Sequence, residues 1–335
     1  MPRRLPLRDL DPRDVIALLV LVAALSATVY HLTADLAPRN EANALTFVRS
    51  NASLENYQRL RQEWRSRVGA NGAAHLVSEA VADGRPAGRE HLRRTVATHS
   101  AIWLALVNVA LLAGLGRRAL VIVWGVFAAV VFGYAPGLVS RIYPWDLPAL
   151  FWFALALVLW HRGRWRWLVA AIAVGMLFKE TVVVLLVALA LRDEPWRRRW
   201  RLLAVAAGLT VAVKLAADLT VANPATLVTA TTRPPDGGAL RLWDNLHLLG
   251  SMSFAHPAWL NAGTLVALLI LPGRERWLTT LRAVAAVFLV ATFLFGVVSE
   301  YRIWFELAPL AVYALARRYV WDGTDAVAGS SVAGP

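Results

Sequence analysis

Nine ionisable side chains stand at or close to the ends of apolar runs in this sequence: Asp35, Glu41, Arg141, Asp146, Lys179, Glu180, Glu300, Arg302 and Glu306. Charge beside lipid is costly and by default marks a functional site. The carboxylates can move a proton, and the cations can hold an anionic group through charge-assisted hydrogen bonds. Each also has a structural reading. Asp35, three residues past the first apolar run, fits a loop carboxylate as well as a base. Asp146, just before Leu147-Pro148, fits an N-cap. Lys179 at a helix C-terminus and Glu180 at the next N-terminus suit the two macrodipoles. Arg302 and Glu306 are four residues apart, which permits an ion pair on one helix face, and for Lys214 and Asp218 at the same spacing that pair is the favoured reading.

Several chemistries are excluded by what the chain lacks. It contains no cysteine, so thiolate nucleophiles, thiolate metal sites and disulfides are out. The seven histidines show no paired metal-ligand spacing, and there is no GxxxxGK[ST], GxGxxG or GxSxG run. No metal site and no cofactor are expected, and a metal requirement is left open. The net charge of +13 would suit a polyanion, yet the arginines cluster in short segments between apolar runs, where they act as topology signals rather than as a nucleic-acid face.

The elements that must position these groups are read from hydropathy. Of 335 residues 58% are hydrophobic and 17% charged, and the mean hydropathy is +0.51. Apolar runs near 15–32, 98–116, 119–135, 147–161, 168–191, 202–222, 257–272, 283–299 and 303–316 read as membrane segments. The first follows Arg3, Arg4, Arg8 and Arg13 and is long enough for a signal anchor. No internal repeat and no low-complexity linker interrupts the series. The run 168–191 carries Lys179-Glu180 at its middle. Splitting it into two halves sends the later arginine turns (Arg192 to Arg201, Arg274 to Arg282, Arg317 and Arg318) to the cytoplasm with Arg117, Arg118, Arg162, Arg164 and Arg166, as the positive-inside rule requires. Each half is then about 11 residues, or about 16 Å, too short to cross alone, and such broken segments flank polar cavities.

The expected fold is therefore all-α: a polytopic transmembrane bundle of about ten segments with short broken helices, occupying 1–322, with a disordered tail at 323–335. Both termini are expected in the cytoplasm. The 33–97 loop faces outward and is partly helical, because Leu54, Tyr57, Leu60, Trp64 and Val68 recur at three- and four-residue steps. Tryptophans near segment ends, such as Trp145, Trp165, Trp196 and Trp277, read as interface anchors. On this topology all nine candidate charges converge on the outer face.

The run Tyr143-Pro144-Trp145-Asp146-Leu147-Pro148, the basic turn His161 to Trp167, and Gly175-Met176-Leu177-Phe178-Lys179-Glu180-Thr181 together resemble the middle of the GT-C superfamily of membrane glycosyltransferases. Protein O-mannosyltransferases and aminoarabinose transferases of that group carry a similar run, GLAxLTKGP, between short helices; here the Gly-Pro after the lysine is missing. The resemblance covers roughly residues 100–220. It implies a sugar donor linked to a polyprenyl phosphate and an extracytoplasmic site in an inner or plasma membrane. It also implies a base in the first outer loop, where Asp35 matches; the second acidic residue common beside it is absent, with Glu41 as a substitute. Lys179, Arg302 and Arg141 would hold the donor phosphate, and Tyr143, Asp146, Glu180, Glu300 and Tyr301 would line the site. The rival expectations are a transporter or lipid flippase binding substrate with the same charges, and a non-catalytic assembly subunit.

Overall fold

A run of four β-branched residues, Thr181-Val182-Val183-Val184, follows directly on Lys179-Glu180, and such residues lose rotamer freedom in an α-helix. The computed structural model breaks its helix there. It describes residues 67–82, 89–115, 145–192, 194–221, 241–251, 273–296 and 306–319. Helix α4 (Trp165–Gly175) ends at the glycine. The chain then turns through Met176–Phe178, extends at Lys179 (φ −160°, ψ 137°), and resumes as a 3₁₀ segment (Glu180–Leu185) that runs into α5 (Leu186–Ala190). The two-halves reading of 168–191 is what the chain adopts.

The other elements are α1 (Val68–Val81), α2 (Arg89–Leu115), α3 (Asp146–His161), α6 (Trp196–Val221), α7 (Leu242–Ser251), α8 (Arg276–Phe295) and α9 (Ala308–Tyr319). Among the described residues there is helix and turn but no strand. Helix α2 packs on α1 and α3, α3 on α4, and α6 on both α4 and α5; α8 covers the 3₁₀ segment and α5, and α9 closes on α3. Leu104, Leu111, Phe153, Leu157, Ile172, Phe288 and Tyr313 meet in the shared core. At one end of α8 the Asn245 amide donates to the carbonyls of Phe293 (2.9 Å) and Gly296 (3.0 Å), which satisfies helix-end acceptors that would otherwise be orphaned.

Two helices, α6 over Trp196–Leu219 and α8 over Arg276–Phe295, are long and apolar enough to cross a membrane. Val205, Val211, Leu215 and Leu219 of α6 are all more than half exposed, an outward apolar face that water would penalise and lipid would not. Several boundaries differ from the sequence expectation. Helix α6 begins at Trp196 rather than near 202, and α8 at Arg276 rather than 283, because arginine and tryptophan extend a helix into the interface while their polar ends reach water. Helix α9 begins at Ala308, later than 303. The expected runs 15–32, 119–135 and 257–272, the stripe from Leu54 to Trp64 and the 323–335 tail lie outside the described residues, whereas the next stretch of the same loop forms α1.

Gly175 is the contact on which the broken helix depends. A Cβ there would stand 2.7 Å from Val182 Cγ1 and 3.3 Å from Trp152 Cβ, so the two halves approach closely only because that atom is missing. Gly175→Ala should cost about 1–3 kcal/mol by overpacking and lower the melting temperature in detergent. By contrast Gly72→Ala, with nothing within 4 Å of the added atom, should hold or raise it through helix propensity. Equal shifts for the two variants would show that the halves do not meet at Gly175.

Candidate functional site

The turn between the halves is built around a buried cation. Lys179 Nζ lies 3.0 Å from Asp146 Oδ1 and 2.5 Å from Glu306 Oε1, with the three side chains only 7, 5 and 1% exposed. The Thr181 hydroxyl donates a hydrogen bond to Glu306. Three helix ends supply these groups. Asp146 opens α3 and Glu306 lies just before α9, both at helix N-termini whose partial positive charge favours carboxylates. Lys179 follows the C-terminus of α4, where the partial charge is negative and favours a cation. Such a cluster is stable only while both signs are present, because each ion has exchanged its water for the others.

A second set of charges backs onto the first through the next residue. Glu180 receives Arg67 (Nη2 at 2.9 Å) and Lys214 (Nζ at 3.1 Å), and Lys214 also reaches Asp218 at 3.1 Å. Arg67 is stacked over the Trp145 ring, 4.4 Å from its centroid, which draws the start of α1 onto the start of α3. The Gly69 N–H donates to the Leu177 carbonyl at 2.9 Å, so α1 is pinned to the turn by backbone as well as by charge. Residues from five stretches of the chain, around 67, 146, 179–181, 214 and 306, thus converge on one end of the helices.

Of the nine charges singled out from sequence, Asp146, Lys179, Glu180 and Glu306 fall in this region. Asp35, Glu41, Arg141, Tyr143, Glu300, Tyr301 and Arg302 lie outside the described residues. One local expectation is corrected. Asp146 does not cap α3: it is the helix's first residue, no side chain caps that end, and its carboxylate turns to Lys179 instead. Glu306, whose spacing permits a pair with Arg302, a residue outside the described ones, lies against Lys179 and Thr181 across more than 120 residues of chain. The Lys214–Asp218 pair forms, with Glu180 as an additional partner that its spacing did not announce.

Nothing in the sequence singles out Arg67, and Thr181 has no role there beyond closing the run that carries the resemblance. Arg67 is one of many arginines in a long loop, and Thr181 reads as one more β-branched residue. One signal was available: only two of the 35 basic residues are lysine, and both stand in these clusters. Among the described residues no group of three or more His, Asp or Glu side chains is arranged to hold a metal ion.

No family model, curated protein or solved structure matches the chain. The chemistry of the site must therefore be argued from its own groups. Lys179 is already matched by two carboxylates, so it fixes where helix ends meet, and an arriving anion would need other cations.

Proposed function

We propose that the protein is a membrane glycosyltransferase of the GT-C type, moving a sugar from a polyprenyl-phosphate carrier to a hydroxyl acceptor at the extracytoplasmic face. The observation that carries the reading is the break at Lys179-Glu180, where two short apolar halves meet at buried charge. In this reading about ten segments cross an inner or plasma membrane, with both termini in the cytoplasm. Asp35, with Glu41 in reserve, takes the acceptor's proton as its oxygen attacks the anomeric carbon and the lipid phosphate departs. Because Lys179 is tied to Asp146 and Glu306, Arg302 and Arg141 carry most of the phosphate contact in this reading. One displacement inverts the anomeric centre.

Transfer of labelled sugar from synthetic polyprenyl-phosphate donors by the full chain in proteoliposomes tests this directly. Turnover with at least one lipid-phosphate sugar is expected. Uptake or flipping of the donor without glycosidic-bond cleavage would replace the enzyme with a transporter.

The topology gives an independent check. An impermeant thiol reagent added outside intact cells should label Gly72→Cys, which lies on the open side of α1, and should spare Arg198→Cys until the membrane is opened. The chain's lack of native cysteine leaves no background. The opposite pattern would place the charged turn in the cytoplasm and exclude an extracytoplasmic donor site there.

A further inference from the structure

Helices α4 and α6 both begin at the end of the molecule remote from the charged turn. Helix α4 covers 11 residues between that end and Gly175, about 16 Å. Lys214 lies 18 residues into α6. Between the two helix starts lies a cavity of about 660 Å³, in the range of small-molecule sites. Five arginines line it: Arg164, Arg166, Arg192, Arg198 and Arg201. Glu194 is the carboxylate described among them, pairing with Arg192 and reaching Arg198 at 3.6 Å. Counting Asp193 beside it in the chain as well, the arginines outnumber the acids by three.

These arginines are not all free to collapse onto their neighbours. Arg192 is stacked on the Trp165 ring at 4.2 Å, which holds its guanidinium at the cavity wall. The carbonyl of Arg192, at the end of the α5 segment, is already taken by Arg276 (3.1 Å) and Arg199 (3.4 Å), neither of which lines the cavity. Arg164, Arg166, Arg198 and Arg201 remain exposed with no acid beyond Glu194 among the described residues close enough to neutralise them.

The floor is apolar. Leu202 and Val205 of α6 line the cavity, and Leu209 continues the strip at helical spacing along an exposed face of a helix long and apolar enough to cross a bilayer. Trp167 stands exposed in the lining, and Trp196 and Trp200 are exposed on the first turns of α6, the place of interface anchors. A free phosphate would use the arginines and leave this strip uncovered. An anionic phospholipid uses both, with its headgroup among the guanidiniums and its acyl chains along α6.

We propose that this cavity binds the headgroup of an anionic glycerophospholipid, at the opposite end of the molecule from the Lys179 turn. The site rests on α6 crossing the bilayer and is independent of the glycosyl transfer. Native mass spectrometry of the full chain in neutral detergent, titrated with phosphatidylglycerol and with phosphatidylcholine of the same chains, tests it. Wild-type protein should bind phosphatidylglycerol more tightly than phosphatidylcholine. At about fivefold per arginine, Arg166→Gln with Arg201→Gln should weaken phosphatidylglycerol about 25-fold and leave phosphatidylcholine unchanged. Arg198→Gln, whose side chain is 77% exposed and serves no fold contact beyond the long approach to Glu194, gives about fivefold and keeps the test open if the double variant misfolds.

Equal affinity for the two lipids, or unchanged affinity in the variants, would overturn the proposal. So would full displacement of the lipid by excess inorganic phosphate, which would mark a free-anion site. Release of the chain from membranes by alkaline washing would overturn this site and the transferase together, whereas retention without lipid preference would overturn this site alone.

Discussion

Asp35→Asn should lower sugar transfer by about 10²–10⁴-fold while leaving donor binding and folding close to wild type. Asparagine keeps the shape of aspartate but cannot accept the acceptor's proton, so the loss falls on the transition state and not on the bound donor. The companion change, Arg302→Ala, should act on donor affinity, because in the proposed mechanism its charge would meet phosphate both before and during transfer. Measuring transfer and donor binding for the two variants side by side separates these effects. A fully active Asp35→Asn would pass the role of base to Glu41; inactive variants at neither position would remove the first loop from the chemistry. If Arg302→Ala lowered thermal stability and left donor affinity alone, Arg302 would be a structural partner and not a phosphate ligand.

Lys179→Met should be the most destabilising single change in the described part of the protein, by about 3–5 kcal/mol. Methionine fills much the same space, but it leaves Asp146 and Glu306 as two buried carboxylates with the cation between them gone. Breaking one side of a buried ion cluster costs more than never having had it. Adding Asp146→Leu and Glu306→Leu to Lys179→Met should therefore recover most of the lost thermal stability, as apolar replacements of whole buried ion sets do. The measurement is the denaturation midpoint of the purified chain in detergent for the single and triple variants. A silent Lys179→Met would mean that the ammonium is solvated and that the three helix ends are held by packing alone.

Much of the helix inventory was legible because each element carries its own periodic signal. Apolar runs bounded by arginine and tryptophan marked α3, α6 and α8, although the boundary residues themselves were absorbed into the helices. The break in 168–191 was legible as well, since a Lys-Glu pair inside an apolar run and the arginine distribution both demanded it, and the β-branched residues that follow favour the tighter 3₁₀ path.

Partner choice was not legible in the same way. Residues four apart on one helix announce their pairing, and Lys214–Asp218 formed as that spacing predicts. Lys179, 33 residues from Asp146 and 127 from Glu306, and Arg67, 113 from Glu180, announce nothing, because no local period connects them. By itself the sequence determined that the chain is helical, that two of its described helices are long and apolar enough to cross a membrane, and that one apolar run must break at Lys179-Glu180. Only the tertiary structure decided that Glu306 turns to Lys179 and that Arg67 reaches Glu180. Helix-end charges buried from water must take whichever opposite charge the packing of distant helices brings within about 3 Å.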